Sequence, residues 1–197
     1  SLVGSEMCIR DRIQALLIDD DIEYFGTNQG LWSRQNKRNV KLIKNINAFS
    51  LDKAPDGSIS VGAKKGFYYL DEGALKKISP DGKDYLSLSN TAVRDIEVIS
   101  ENEIWYATFG MGLFLHNPGT FSTLNAKDGL DVGGMTFDLV KNGNKVYIAT
   151  KNGLFLYQNN KIKKHYTKND GLPSNMILDL DMDLSLIHIS EPTRLSV

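Results

Sequence analysis

Four times along the chain a small residue, a short polar stretch, a glycine and an aromatic or apolar pair recur in the same order. The segments are GTNQGLW (Gly26 to Trp32), GAKKGFY (Gly62 to Tyr68), ATFGMGLF (Ala107 to Phe114) and ATKNGLF (Ala149 to Phe155). Their second glycines, Gly30, Gly66, Gly112 and Gly153, are 36, 46 and 41 residues apart. Repeats of that length point to one supersecondary unit that buries its faces against neighbouring copies. The third repeat contains four strand-like runs, Val93–Ile99, Glu103–Thr108, Gly112–His116 and Phe121–Leu124. The fourth contains Met135–Val140, Lys145–Thr150, Gly153–Tyr157 and Lys161–Tyr166, and the first two repeats open with Gln14–Ile18 and Ile46–Leu51. Turn-forming residues separate the runs: Asp19-Asp20-Asp21, Pro55-Asp56-Gly57, Ser100-Glu101-Asn102 and Asn142-Gly143-Asn144. No stretch of helical length carries a helical period.

The second run of each repeat shows how the units pack. Tyr24, Ser60, Trp105 and Tyr147 alternate with Gly26, Gly62, Ala107 and Ala149 on one face, while Phe25, Val61, Tyr106 and Ile148 mark the other. Both faces are largely apolar, so the strand is expected to be covered on both sides. Small residues at one end let adjacent sheets converge, and aromatics farther along fill a widening wedge. That is the geometry of a blade in a β-propeller. The expected fold is therefore all-β, a propeller fragment of about four four-stranded antiparallel blades forming an open arc. The blades are expected near residues 13–45, 46–80, 90–125 and 132–167, with a fifth starting at 175–183. The second glycine of each repeat is expected to supply positive φ or close backbone approach at a hairpin.

The two ends read differently. A DNA element that encodes LSLIHISEPTR (Leu184 to Arg194) on one strand encodes LVGSEMCIRD (Leu2 to Asp11) on the other. It resembles the transposon-end adapter used in sequencing libraries. Residues 1–12 and 184–197 are accordingly set aside as adapter-encoded, and the rest is expected to be an interior piece of a larger propeller. Neither end has the apolar length of a membrane span.

Setting the ends aside removes Cys8 and His188 and leaves the formal charge at −1, because three acidic and three basic residues go with them. A near-neutral chain without charge blocks offers no electrostatic case for nucleic acid. Without cysteine there is no disulfide framework, thiol nucleophile or thiolate metal site. His116 and His165 stand apart in sequence. Neither Asp19-Asp20-Asp21 nor Asp179, Asp181 and Asp183 has the donor spacing of a calcium loop, although Asp179 and Asp181 would share a strand face and could line a channel. Gly110-Met111-Gly112 lacks the strand-to-helix setting of a dinucleotide loop, and no nucleophile elbow is present. Trp32 and Trp105 could stack on sugar rings or fill the space between blades. No cofactor, metal or catalytic residue is expected.

Three segments, DGLPSNMILDLDMD (Asp170 to Asp183), EIWYATFGMGLF and KVYIATKNGLFLYQNNKIKKHYTKNDGL, resemble the two-component regulator propeller repeat. The resemblance extends over nearly all of residues 13–183. It is weaker in the first repeat, where Tyr24-Phe25 stands for Trp-Ile, and in the second, which lacks the aromatic and the threonine. It implies the extracytoplasmic, periplasmic sensor region of a hybrid histidine kinase, non-catalytic in itself and responding to a ligand such as an oligosaccharide. Neighbouring propeller blades are the other implied partner. The alternatives are an interaction scaffold of an envelope secretion or assembly system and, less favoured, a propeller lyase or lactonase.

In a propeller, the loops at one end of the blades converge on the channel mouth. The polar, variable residues there are the ligand-binding candidates: Asn28, Gln29, Lys64, Lys65, Phe109, Lys151, Asn152 and Asn175. The alternative for each is a solvated hairpin tip.

Overall fold

The computed structural model describes residues 12–36, 39–78, 90–117, 120–130, 135–182 and 187–189. It divides into two compact units, residues 1–101 and 102–197, with the boundary in the turn after Ser100. Among the described residues there are strands, turns and short 3-10 segments but no α-helix.

The first unit begins with an antiparallel sheet of β1 (Ile13–Asp19), β2 (Ile22–Thr27), β3 (Leu31–Gln35) and β4 (Asn39–Lys44), paired in chain order. A second sheet follows with β5 (Ala48–Lys53), β6 (Ile59–Ala63), β7 (Gly66–Asp71) and β8 (Ala74–Lys77). The long strand β9 (Ala92–Ser100) closes the unit and touches β7 through a parallel bridge between Gly66 and Ala92. The second unit holds β10 (Glu103–Phe109), β11 (Gly112–Asn117) and β12 (Thr120–Leu124). Next comes a complete antiparallel sheet of β13 (Thr136–Asn142), β14 (Lys145–Thr150), β15 (Gly153–Gln158) and β16 (Lys161–Tyr166). Finally β17 (Leu180–Met182) pairs with β18 (Ile187–Ile189). The last strand lies in the peptide set aside above, and an open strand edge readily recruits whatever extended segment follows it.

In the first unit, Leu31, Ala48, Ile59, Val61 and Leu70 form one buried cluster, with Leu17, Tyr24, Ile43 and Leu51 packed against it. This cluster joins the Tyr24 face of the first sheet to the Val61 face of the second. The glycines set how closely the sheets meet. A Cβ at Gly26 would lie 3.0 Å from the Ala48 carbonyl oxygen, and one at Gly62 would lie 2.5 Å from Ser50 Oγ and 3.0 Å from the Val93 carbonyl oxygen. Both are needed for close approach, as the small-residue pattern implies. In the second unit Trp105 is 1 % exposed and meets Tyr157 edge-on at 4.8 Å, while Tyr147 and Ala149 pack on Ile177 and Leu180.

The opposite face of the first sheet is largely bare at both edges. Leu16 and Ile18 on β1 are 56 % and 65 % exposed, and Val40 and Leu42 on β4, the far edge strand, are also exposed. Exposed apolar side chains grouped on one sheet face are the kind of surface that other protein surfaces commonly cover.

The threonine of the repeat has a local task. Thr27 Oγ1 accepts from the backbone N–H groups of Gln29 and Gly30, at 3.2 and 2.9 Å, and donates to the Gly30 carbonyl. Thr150 repeats this with Asn152 N–H at 3.1 Å and the Gly153 carbonyl at 2.7 Å. The hydroxyl thus satisfies turn groups that the ladder leaves over. In the second repeat Ala63 takes this position. There Lys64 N–H donates to the Asn47 carbonyl and Gly66 N–H to the Thr91 carbonyl, at 2.9 and 2.8 Å.

Candidate functional site

Chain direction places the first unit's turns at two ends. One end gathers the starts of β1, β5 and β9 with the Asn28-Gln29 and Lys64-Lys65 hairpins. The other gathers Asp20-Asp21, Pro55-Asp56-Gly57 and Glu72-Gly73. At the first end, Asn28 Oδ1 accepts from Arg12 N–H at 3.2 Å, so this side chain fastens the approach to β1. Gln29, Lys64 and Lys65 are exposed.

The second unit holds the remaining sequence candidates. Phe109 is 48 % exposed with its ring centroid 6.4 Å from Phe137. Lys151 is exposed, and its backbone N–H reaches the Met135 carbonyl at 3.3 Å. Asn152 is half-buried, and its carbonyl meets His165 Nε2 at 2.7 Å. Asn175 Oδ1 accepts from Lys168 N–H at 2.8 Å and ties down the 3-10 segment Lys168–Asp170. Asn28 and Asn175 therefore have structural duties through their side chains and Asn152 through its backbone, whereas Gln29, Lys64, Lys65, Phe109 and Lys151 are the more open positions.

Sequence patterning missed a second set of residues beside these hairpins. The β1–β2, β5–β6 and β13–β14 ladders each slip by one residue near the start of the first strand, between Ile13 and Ala15, Ala48 and Ser50, and Thr136 and Asp138. The extra residues are Gln14, Phe49 and Phe137, and by sequence alignment Arg94 holds this place in β9. Bulges re-aim side chains at sheet ends and functional rims. Gln14 Nε2 donates to Asn47 Oδ1 at 2.8 Å, and the Arg94 guanidinium lies over the Phe49 ring at 4.6 Å. The available signal was a break in two-residue alternation just before Ala15, Ser50, Asp95 and Asp138.

A cleft of about 460 Å3 in the first unit lies elsewhere, lined by Asp19, Tyr24, Ser33, Lys41, Ile43, Ile59, Leu70 and Glu72. Burial holds the Tyr24 hydroxyl above its ordinary range, with Asp19 adding to that effect and Lys53 opposing it. Lys53 is paired with Asp19, so the cleft's acidic rim is partly neutralised. It is the wedge between two diverging sheets.

His116 and His165 are each stacked across a strand pair. His116 lies on Phe121 at 4.3 Å and His165 on Phe155 at 3.9 Å. Among the described residues no three His, Cys, Asp or Glu side chains come together as a metal site. The channel suggestion for Asp179 and Asp181 meets one difference: Asp179 precedes β17 rather than lying in it, and both are exposed. Trp105 is buried, while Trp32 is half-buried with its indole N–H unpartnered among the described residues.

Burial lowers the His116 pKa below that of a free imidazole. The unfolded chain then binds the proton first, so this group's stabilising contribution is present above about pH 6.5. It is lost as pH falls through that value towards the lower folded pKa. Denaturant titrations at about pH 7.5 and about pH 5.5 are expected to show a smaller acid-side loss for His116→Phe than for the parent chain.

No family model matches the chain, and no curated protein sequence does. Among solved structures, it superposes on the extracellular domain of the hybrid two-component system BT3049 from B. thetaiotaomicron. That match has a TM-score of 0.74 and 16 % identity over 89 % of this chain. The extracellular domain of BT4673 from the same organism gives 0.70 and 22 % over 87 %. In both cases the chain spans 25 % of the length of the solved chain. A virginiamycin B lyase from Staphylococcus aureus gives 0.59 and 14 %, covering 77 % of this chain and 54 % of the lyase. The WD40 β-propeller domain of Doa1 gives a TM-score of 0.60 and 12 % identity, covering 87 % of this chain and 58 % of that one. These likenesses agree with the repeat resemblance read from the sequence, and the last shows that the chain has the β-propeller fold.

Proposed function

We propose that the chain is a ligand-sensing propeller segment of an extracytoplasmic two-component sensor, non-catalytic itself, that recognises a saccharide with its hairpin loops. The observation supporting this most is the set of exposed side chains on otherwise rigid hairpins. Gln29, Lys64, Lys65, Phe109 and Lys151 stand on turns fixed by buried threonine hydroxyls or flanking carbonyls, and rigid turns lower the entropy lost on binding. The likeness to extracellular domains of hybrid two-component systems supports the sensor setting and the location outside the cytoplasm. The loop residues include no histidine and no carboxylate pair of the kind acid–base chemistry requires. This favours binding over a lyase or lactonase reaction.

The test is a reporter assay on the parent sensor with Gln29, Lys64, Lys65, Phe109 and Lys151 changed together to alanine. Loss of ligand-dependent output, with the protein still present at parental level, is expected. Unchanged output would remove the loops from recognition.

A further inference from the structure

The first unit is electrically polarised along its strands. Its described carboxylates are Asp19, Asp20, Asp21, Glu23, Asp52, Asp56, Asp71, Glu72, Asp95, Glu97 and Glu101, and all but Asp95 lie in the half of the strands towards the Asp20-Asp21 end or in its turns. Three cations in that half are matched: Lys53 with Asp19, Arg34 with Glu23 and Lys76 with Asp71. The opposite end is different. Segments Thr27–Gly30, Lys44–Phe49, Ala63–Gly66 and Asn90–Arg94 contain Lys44, Lys64, Lys65 and Arg94 and no acidic residue.

Backbone hydrogen bonds bring together the segments that carry three of these cations. Lys64 N–H is bonded to the Asn47 carbonyl, two residues before Phe49, and Gly66 N–H to the Thr91 carbonyl, three residues before Arg94. The Lys64-Lys65 hairpin is therefore held between the starts of β5 and β9. There Arg94 lies over the Phe49 ring at 4.6 Å. Stacking of that kind fixes the guanidinium plane and leaves its N–H edge available for a planar anion. Just ahead of Phe49, Gln14 Nε2 donates to Asn47 Oδ1 at 2.8 Å and to the Ala48 carbonyl at 3.3 Å, so the neutral groups this pair can offer are Gln14 Oε1 and Asn47 Nδ2. Asp95 is half-buried and already engaged. A strand of six residues places the acidic end roughly 20 Å away, beyond the Debye length of about 8 Å at physiological salt, so it does not neutralise the basic end.

Building on the saccharide reading above, we infer that the end of the first unit formed by Lys64, Lys65, Arg94 and Phe49 selects an acidic saccharide, one bearing carboxylate or sulfate groups. Arg94 takes the anionic group in the plane set by Phe49, the two lysines draw the anion in, and Gln14 and Asn47 face neighbouring hydroxyls.

The experiment is calorimetric titration of the full chain with oligogalacturonate and chondroitin sulfate oligosaccharides. Methyl-esterified oligogalacturonate serves as the neutral match and polyaspartate as a non-sugar polyanion. Binding of at least one acidic saccharide is expected to be about tenfold tighter than that of the ester and the polyaspartate. Raising the salt should weaken it, and the K64Q/K65Q/R94Q chain should lose it while melting at the parental temperature. Equal binding of ester and acid, unaffected by the triple substitution, would overturn the selection and leave saccharide sensing standing. Equal binding of polyaspartate would reduce the end to a general polyanion surface and overturn it as well. Failure of every saccharide to bind would end both readings.

Discussion

Replacing Trp105 by alanine is expected to destabilise the second unit by about 3–5 kcal/mol, the usual cost of deleting a fully buried indole. Its side chain is 1 % exposed, meets Tyr157 edge-on at 4.8 Å, and donates Nε1–H to Glu103 Oε1 at 2.7 Å. The alanine leaves a cavity, an unstacked tyrosine ring and a carboxylate without its donor. Domains of this kind are stabilised by about 5–15 kcal/mol in total, so the loss is a large share of what holds the unit together. Trp105→Phe keeps the ring contact and loses only the hydrogen bond, so it should fall between alanine and the parent. Urea titration read by far-ultraviolet circular dichroism orders the three. A parental midpoint for Trp105→Ala would mean that the indole is not packed between sheets.

Gly62→Val is expected to destabilise the first unit by about 3 kcal/mol, at the upper end for overpacking. The reason is space rather than backbone freedom. Ser50 Oγ can rotate away from an added Cβ, but the Val93 carbonyl oxygen 3.0 Å from that Cβ belongs to β9 and moves only with it. Gly110 is the natural control. A Cβ there meets nothing within 4 Å, although its φ of +110° disfavours a side chain, so Gly110→Ala should cost about 1–2 kcal/mol. Thermal melts of both variants separate the two causes, and equal losses would count against sheet convergence at Gly62.

These two positions show why the fold was readable. The alternation of Trp105 with Ala107 and of Ser60 with Gly62 directly encodes a strand covered on both faces. The strands of the third and fourth repeats fall within two residues of the sequence pattern, since the repeats mark their own turns. The opening strands of the first two repeats shift by a similar amount: the expected start at Ile46 moves to Ala48 because Ile46 and Asn47 serve the preceding connection and the Lys64 turn. Expected positive φ occurs at Gly66, Gly112 and Gly153, whereas Gly30 is held by crowding against Leu42 and Trp32.

The candidate site was less legible. Sequence spacing finds hairpin tips, but it does not say which amides are already spoken for, as Asn28 and Asn175 are. Nor does it show that Phe49 and Arg94, 45 positions apart, share one contact. That contact depends on the one-residue slip in β5 and on the way the Lys64 turn bridges β5 and β9, both consequences of tertiary packing.

The most direct measurement for the account is backbone-amide nuclear magnetic resonance of the isotope-labelled chain, titrated with the saccharide that binds it. Ligand-dependent shifts are predicted at Gln29, Lys64, Lys65, Phe109 and Lys151 and at their bulge neighbours Phe49, Arg94 and Phe137. Shifts concentrated instead at Asp20, Asp21, Gly57, Gly73 and Gly143 would place recognition at the opposite hairpins and contradict the account.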